Sequence, residues 1–510
     1  MGEQNYSSAR IAKNTIALYI RSFVSMLIAL YASRILLKTL GVDDFGIYNV
    51  VGGVVMLFSF LNSSLVVSTQ RFLNYEMGRG NYKRINDIFC TSVNIQLFVA
   101  AGIFIIGEII GLFVLYNYLS IPEERIHIAF WVLQFSILTL VVNIVSVPYN
   151  AFIIAKEDMK SFAYIDILNA LLKLLVVFII GLFGGDKLFL YALLILFVQI
   201  IIRIIYSIYC NQKYSETKYH FYWEGELMKE MLSFSSWTSL SAITYLLNNY
   251  GISILYNIFY GVAINAAIGI ANQINAAILG LMGNFTTSFN PQITKNYASG
   301  DWNRVELLHF TGSKFSFFLV SILAAPIILN INSILHLWLV NVPPYTGVFS
   351  QIILCIALIT SLTSTSNTLV RSTGKVKEYE LILNGIIVFF LILSFVCFKL
   401  HTSIYVPYMM LVVSSIFVSF FAAYKSCKSV KVSYKYYLYS VHFRMFIAFV
   451  VGMCIAFVLQ FDKNGFCFLI LNVASSIFII ALCEYFLGFN LKEKMFLRHS
   501  ISNLLSKIFK

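Results

Sequence analysis

Stretches of about 20 apolar residues recur along the chain, and they restrict its fold more than any other feature. Residues 168–183, 188–202 and 381–398, with their flanks, are clear examples. A helix rises about 1.5 Å per residue, so each run is long enough to cross about 30 Å of hydrocarbon. The sequence lacks the alternating strands of about ten residues that a membrane β-barrel needs. We therefore predict an all-α integral membrane protein.

Polar breaks divide the chain into about fourteen predicted transmembrane helices. These helices start near Asn14, Gly46, Ile88, Ile126, Ser161, Lys187, Ser233, Val262, Leu307, Gly347, Glu378, Ser403, Arg444 and Gly465. The longest connections, 211–232 and 335–346, are too short for a catalytic domain. The sequence also has no phosphate-binding loop, H-E-x-x-H or G-x-S-x-G motif. We expect a protein that is not an enzyme.

Basic residues are distributed unevenly between the predicted loops. With a cytoplasmic N-terminus, 26 of the 36 Lys and Arg residues fall on the cytoplasmic side and five on the outer side. This asymmetry predicts that both termini are cytoplasmic. It also accounts for the net charge of +13, so we expect no nucleic acid partner. The eight cysteines form no C-x-x-C pair, and we expect neither a metal nor a resident cofactor.

Short motifs repeat at an offset of 220 residues. Gly41 recurs as Gly261, and the segment Gly-Asn-Tyr-Lys-Arg-Ile at 80–85 recurs as Gly-Asp-Trp-Asn-Arg-Val at 300–305. We predict two parallel six-helix lobes, related by a pseudo-two-fold axis along the membrane normal, followed by two extra helices. The predicted divisions are 1–210, 211–425 and 426–510. Parallel repeats place a substrate site between the halves in secondary transporters.

Ionisable residues inside predicted spans cost about 2.5–3.5 kcal/mol each at a helix centre, so each needs a reason. Arg21 lies about 10 Å inside the first helix, on one face with Asn14 and Ser25. We interpret it as a cation of an internal cavity, with snorkelling to the surface as the alternative. The candidate cavity cations are Arg21, Arg34, Lys173, Arg203 and Lys314. Snorkelling explains Arg34 better, because it lies near a helix end.

The best-defined local group of polar residues in the predicted spans lies on the fifth predicted helix. Asp166, Asn169 and Lys173 share one helical face, at spacings of three and seven. Lys173 would contact an anion, and Asp166 would bind a proton or a sodium ion; a neutralised pair is the alternative. Glu108 is the second ion-coupling candidate, and Glu484 is a lone carboxylate in the last helix.

Neutral polar residues are concentrated in the seventh, eighth and tenth predicted helices. Such residues either hold helices together or line an aqueous cavity. For a cavity of sugar size, we select Asn248, Asn272 and Trp237 as contact candidates.

Several motifs in the first 90 residues resemble a known family. They are Ala-Arg-Ile-Ala-Lys-Asn-Thr at 9–15, Ser-Arg-Ile-Leu at 33–36, Leu-Gly-Val-Asp-Asp-Phe-Gly-Ile-Tyr at 40–48 and Gln-Arg-Phe at 70–72. They resemble the Wzx-type O-antigen and capsular polysaccharide flippases of the multidrug/oligosaccharidyl-lipid/polysaccharide (MOP) exporter superfamily. The helix count and the repeat are similar to that family over the whole chain.

The resemblance implies a flippase in a bacterial inner (plasma) membrane. Its cargo would be an undecaprenyl-pyrophosphate-linked oligosaccharide, moved from the cytoplasmic to the outer face by alternating access. A cationic cavity would hold the pyrophosphate, and a groove near the last two helices would hold the lipid tail. A proton gradient, a sodium gradient or the membrane potential would drive transport, and membrane lipid and polysaccharide assembly proteins would be the partners.

Three other functions remain open. A cation-coupled multidrug exporter of the same superfamily needs mainly a carboxylate such as Asp166, and a lipid II-type flippase would also suit the charges. A membrane polysaccharide polymerase is disfavoured by the short outer loops. The basic residues within spans favour an anionic cargo over a drug.

Overall fold

The computed structural model describes residues 2–56, 58–117, 121–260, 262–339, 342–460, 465–491 and 493–494. Within these ranges the secondary structure is helical, and no strand is present. Ten helices of the described chain are long and apolar enough to cross a membrane. The predicted all-α membrane fold is therefore confirmed.

The N-terminal part of the chain contains the helices α1 (Gly2–Met56), α2 (Ser59–Arg79), α3 (Tyr82–Asn117), α4 (Glu123–Ala155), α5 (Met159–Leu182), α6 (Lys187–Lys213) and α7 (Gly225–Leu246). Gly41 breaks α1 into two helices, because its φ of 81° and ψ of 173° lie outside the helical region. A short 3₁₀ turn, Ser215–Thr217, lies between α6 and α7.

The C-terminal part contains α8 (Ile252–Tyr260), α9 (Val262–Ser299), α10 (Trp302–Leu329), α11 (Ile331–Trp338), α12 (Thr346–Ser361), α13 (Ser364–Ser372), α14 (Lys377–Lys399), α15 (Val406–Val430), α16 (Tyr434–Tyr437), α17 (Arg444–Val458) and α18 (Phe466–Cys483). Segments of π-helix join α7 to α8 (Leu247–Gly251), join α16 to α17 (Leu438–Phe443) and extend α18 (Glu484–Gly488).

The ten membrane-length helices correspond to the third to sixth and the ninth to fourteenth helices expected from the sequence. The other four expected helices fall within α1, α2 and α7 to α9. These helices carry more polar residues; α2, for example, contains Asn62, Ser63, Ser64, Ser68 and Thr69.

The chain forms two compact units, residues 14–242 and residues 243–510 with 1–13. In the first unit, α4 is central and packs against α2, α3, α5 and α6. In the second unit, α10 packs against α9, α12, α13 and α18, and its Phe317 lies in a core with Leu354 and Tyr437. The predicted divisions near residues 210 and 425 stay predictions.

The repeated glycine motif forms the same turn at both of its positions. Gly80 follows α2 with a φ of 72°, and Gly300 follows α9 with a φ of 76°. In the first turn the Asn81 amide donates to the Glu76 carbonyl, and in the second the Asp301 amide donates to the Asn296 carbonyl, both at 3.1 Å. This left-handed helix end favours glycine, which explains why the motif recurs. Gly261, the counterpart of Gly41, lies outside the described residues.

Candidate functional site

Arg21 of α1 forms an ion pair with Asp166 of α5, with 3.7 Å between Nη1 and Oδ2. Its guanidinium also lies over the Phe162 ring, 5.1 Å from the ring centroid. Because Phe162 and Asp166 are four residues apart on α5, they present one surface to Arg21. The Arg21 side chain is 19% exposed, so protein encloses most of it.

The same group extends along α5 and onto α6. The charge of Asp166 acts on Lys173, seven residues further along α5, so these two predicted residues lie on the same side of the helix. Tyr206 of α6 is buried and interacts electrostatically with both Asp166 and Arg21. Tyr206 was not among the residues selected from the sequence. Its signal is its position three residues after Arg203, a spacing that places both on neighbouring parts of one helix face.

Arg203 of α6 packs on α4. Its guanidinium carbon lies 4.1 Å from the centroid of the Tyr149 ring, a distance at which the ring attracts the cation. The Arg203 Nε is buried and makes no hydrogen bond to any described residue. Arg203 therefore adds a positive charge where α6 packs on α4, and its Nε–H donor is not used by any described residue. We call Arg21, Asp166, Lys173, Arg203 and Tyr206 the α1–α5–α6 group.

The polar face of α1 is turned towards protein. The buried Asn14 side chain donates from Nδ2 to the Glu157 carbonyl at 3.1 Å, in the turn between α4 and α5. The Ser25 hydroxyl is buried without a hydrogen-bond partner among the described residues. The face that carries Arg21 is therefore an interior face, as the spacing of Asn14, Arg21 and Ser25 indicates.

Arg71 of α2 was not selected from the sequence as a site residue. Protein encloses the Arg71 side chain, of which 9% is exposed. Its Nη1 atom lies 3.8 Å from Oε1 of Glu230. Its guanidinium lies over the rings of Phe72, Tyr75 and Phe234. The available signal was the Gln-Arg-Phe motif at 70–72, in which an arginine stands between polar and aromatic neighbours.

The other charged candidates lie elsewhere. Lys314 of α10 is fully buried, and its ammonium donates to the Glu493 carboxylate at 2.9 Å and to the Gly488 carbonyl at 3.1 Å. Glu108 of α3 accepts a hydrogen bond from Gln134 of α4 at 2.8 Å. The Arg34 backbone belongs to α1, but its side chain lies outside the described part of the chain.

The three candidates for sugar contact are on α7, on α9 and between α7 and α8. Asn248 lies in the π segment Leu247–Gly251, and its buried Oδ1 has no hydrogen-bond partner among the described residues. Such π segments frequently occur at functional positions. Trp237 and Asn272 are half-buried on α7 and α9. These assignments stay predictions.

A further polar cluster lies outside the spans, where α4, α5 and α6 meet. The Asp158 carboxylate accepts hydrogen bonds from Lys213 at 2.6 Å, Tyr209 at 2.5 Å and Tyr214 at 2.9 Å. Burial alone would raise the pKa of Asp158, but these hydrogen bonds hold it at about 2. Nearby, Arg84 binds the Glu224 carboxylate with both terminal nitrogens. These contacts anchor the long connection between α6 and α7.

Residues 11–297, more than half of the chain, match the family model described as polysaccharide biosynthesis protein. The chain belongs to this family. A search of curated proteins found no match.

Among solved structures, the chain is similar to the crystal structure of a MATE mutant, with a TM-score of 0.74 and 14% identity over 83% of this chain and 96% of that one. An outward-facing multidrug resistance MATE transporter of the MOP superfamily gives a TM-score of 0.72 and 14% identity, over 83% and 97%. For a MOP superfamily transporter from Pyrococcus furiosus, the TM-score is 0.69 and the sequence identity is 14%, over 84% of this chain and 98% of that one.

These structures show that the family member has the MOP-superfamily fold, a multi-pass membrane fold with two lobes. Together with the family match, this fold confirms the resemblance found in the first 90 residues at the level of the superfamily. Several of these neighbours are described as transporters, and the expectation that this chain is not an enzyme stays a prediction.

Proposed function

We propose that the protein is a flippase that moves an undecaprenyl-pyrophosphate-linked oligosaccharide from the cytoplasmic to the outer face of a bacterial inner membrane. Membership of the polysaccharide biosynthesis family supports the cargo class, and the MOP fold supports movement by alternating access. The O-antigen or capsule repeat unit is the cargo that the N-terminal motifs favour. In this proposal both termini are cytoplasmic, as the distribution of basic residues indicates.

The observation that carries the proposal is the charge of the α1–α5–α6 group. Arg21, Lys173 and Arg203 bring three positive charges to helices of the first unit, and Asp166 brings one negative charge. An excess of cations at partly enclosed positions is unfavourable unless an anion compensates it. A pyrophosphate supplies that anion, and arginine binds phosphate oxygens with two parallel hydrogen bonds.

The charge of the site also separates this proposal from drug export. A drug exporter for cations needs a site of net negative charge, whereas the α1–α5–α6 group is net positive. The P. furiosus transporter is described as having a binding pocket of reversed polarity, which suggests a different function for it. In that protein, too, pocket polarity is taken as a guide to function within this fold.

The other parts of the transport cycle follow the sequence predictions. A proton or sodium ion would couple through Asp166 or Glu108. Asn248, Asn272 and Trp237 would contact sugars, and polysaccharide assembly proteins would deliver or receive the cargo. Lys314 stays a candidate cation of the cavity, and its ammonium is paired with Glu493.

The test compares lipid-linked oligosaccharide on the two faces of the inner membrane in cells depleted of the protein. We expect accumulation on the cytoplasmic face, reversed by the wild type and by the control Arg79→Gln, which removes an exposed arginine of α2. Arg21→Gln and Lys173→Gln should fail to reverse it. An unchanged distribution on depletion would refute flipping of this cargo.

Multidrug export is the second candidate, favoured by the MATE structures and by the Asp166 side chain, which is 35% exposed. It predicts that depletion sensitises cells to cationic dyes and that Asp166→Asn abolishes dye efflux. A lipid II-type flippase predicts instead that the peptidoglycan precursor accumulates on the cytoplasmic face. The same depleted cells therefore distinguish all three cargoes.

A further inference from the structure

Glu484 is a fully buried carboxylate in the π segment that extends α18. Neither of its carboxylate oxygens has a hydrogen-bond partner among the described residues. Ser321 of α10 lies beside it, but the Ser321 hydroxyl donates to the Phe318 carbonyl at 2.9 Å. Among the described residues, therefore, no cation pairs with Glu484, and the neutral Ser321 is the one polar side chain beside it.

Three cations reach the same π segment and bind its backbone instead, one of them being Lys494, which donates to the Phe486 carbonyl at 3.0 Å. Lys314 of α10 donates to the Gly488 carbonyl at 3.1 Å, and Arg444 of α17 donates to the Leu487 carbonyl at 2.6 Å. Both carbonyls lie within about one turn of Glu484 and carry the negative end of the helix dipole. Glu493, which follows α18, accepts a second hydrogen bond from Lys314 at 2.9 Å.

This distribution of contacts indicates the charge state of Glu484. An ionised carboxylate in apolar surroundings would attract a flexible cation one turn away, because an unpaired buried charge is very unfavourable. Lys314, Arg444, Lys494 and Glu493 are the charged groups that the described elements packed on this segment bring to it, and none pairs with Glu484. The neutral, protonated form of Glu484 is the one that fits.

Close packing around the segment leaves little room for water. A Cβ atom added at Gly488 would lie 2.7 Å from the Met445 sulfur of α17, and one added at Gly452 would lie 2.9 Å from Cδ1 of Ile480. Loss of the proton would therefore leave a negative charge that neither water nor a present partner stabilises. It could be stabilised by a shift of Lys314, which currently fastens α10 to the end of α18.

We propose that Glu484 is a proton-binding site, protonated while α18 is packed on α10, and that release of this proton to water draws Lys314 from Glu493 to Glu484 and loosens α18 from α10. This site is separate from the α1–α5–α6 group and does not require the proposed cargo. As a step that couples protons to transport, it would rest on the proposed function.

Two isosteric variants of the full chain in lipid nanodiscs test the charge state. Glu484→Gln mimics the protonated acid, so its apparent melting temperature should exceed that of the wild type by a few degrees at about pH 8. The difference should shrink towards about pH 5, where the wild type is also protonated. Glu493→Gln is the matched control and should lower the melting temperature, because it removes the partner of a buried ammonium.

Carbodiimide labelling provides a second measurement, because dicyclohexylcarbodiimide modifies protonated carboxyl groups in apolar surroundings. Peptide mass spectrometry should find Glu484 modified at least about tenfold more than Glu380, which is equally buried but forms an ion pair with Arg371 at 2.9 Å. The modification of Glu484 should decrease as the pH rises. The same decrease on adding NaCl, but not KCl, at constant pH would identify a sodium site and overturn the proposal. Destabilisation by Glu484→Gln at every pH would also overturn it, since it would show that Glu484 is ionised and paired.

Discussion

The Nη1 atom of Arg21 lies 3.7 Å from the Oδ2 atom of Asp166, which is close enough for an ion pair but too long for a hydrogen bond. Both side chains keep some exposure, at 19% and 35%. A loose and partly exposed pair stabilises a fold by about 1 kcal/mol or less. Loss of this ion pair alone should therefore cost the fold little.

Arg21→Gln should accordingly separate transport from stability. We expect transport of the lipid-linked oligosaccharide to fall at least about tenfold, because a charge-assisted hydrogen bond of about 1.5–3 kcal/mol is lost. The apparent melting temperature should change little. Transport in reconstituted vesicles and thermal unfolding of the same preparation measure the two effects. A large loss of stability with normal transport per folded molecule would contradict a cargo role for Arg21.

The ion pair between Arg371 and Glu380 should behave in the opposite way. Glu380 is fully buried, and Arg371 Nε lies 2.9 Å from its Oε1. Glu380→Gln leaves the guanidinium without a counter-charge, so we expect a loss towards the lower end of about 3–5 kcal/mol, since a quarter of Arg371 is exposed. The double variant Arg371→Met with Glu380→Leu should recover most of the stability that Glu380→Gln loses, because it leaves no unpaired buried charge. Apparent melting temperatures in nanodiscs provide the comparison, and additive losses in the double variant would argue against a coupled pair.

Gly300 should be sensitive to any side chain. Its φ of 76° is left-handed, so Gly300→Ala should destabilise the turn between α9 and α10 by about 1–2 kcal/mol. Gly102→Ala on α3 is the control, because no atom would lie within 4 Å of its new Cβ. That control should be neutral or stabilising by about 0.5–1 kcal/mol. Equal effects of the two substitutions in a thermal unfolding assay would show that the left-handed turn does not limit stability.

Asp158 should give the stability of the protein a component that depends on acid pH. Its folded pKa of about 2 lies below the value of about 3.9 in an unfolded chain. Its contribution is therefore fully present above about pH 4 and is lost as the pH falls through about 2. Asp158→Asn should lower the apparent melting temperature at neutral pH, and the difference from the wild type should shrink below about pH 4.

Glu124→Gln, a change at an exposed residue of α4, is the control for Asp158→Asn. It should leave the pH profile of the wild type unchanged. A deficit of Asp158→Asn that stayed constant down to about pH 2 would mean that the Asp158 charge does not support the fold.

Helix lengths and several local contacts were predictable because they depend on residues near one another in sequence. The i to i+7 spacing placed Asp166 and Lys173 on one side of α5, and the structure shows them interacting. The repeated glycine motif predicted equivalent positions in the two halves, and both form the same left-handed turn. A helix has a fixed period and a glycine has a fixed conformational range, so such features can be derived from the sequence.

The partners of the charged residues could not be derived in that way. Lys314 pairs with Glu493, which is 179 residues away, so a cation that looked available from the sequence is already neutralised. Tyr206 and Arg21 meet through the packing of α1, α5 and α6, and no local pattern relates them. Arg71 lay in a recognised motif, but its enclosure by Phe234 of α7 required the tertiary fold.

The sequence by itself determined that this chain spans a membrane with many helices, because the length and apolarity of each run decide that locally. It also indicated the cationic character of the first half. Only the tertiary structure decided which charges are compensated: Lys314, Glu380 and Arg371 are paired, Arg203 retains an unused donor, and Glu484 is buried without a partner among the described residues. The physical reason is that the cost of a charge in a low-dielectric interior depends on atoms a few ångströms away, and those atoms come from helices far apart in the sequence.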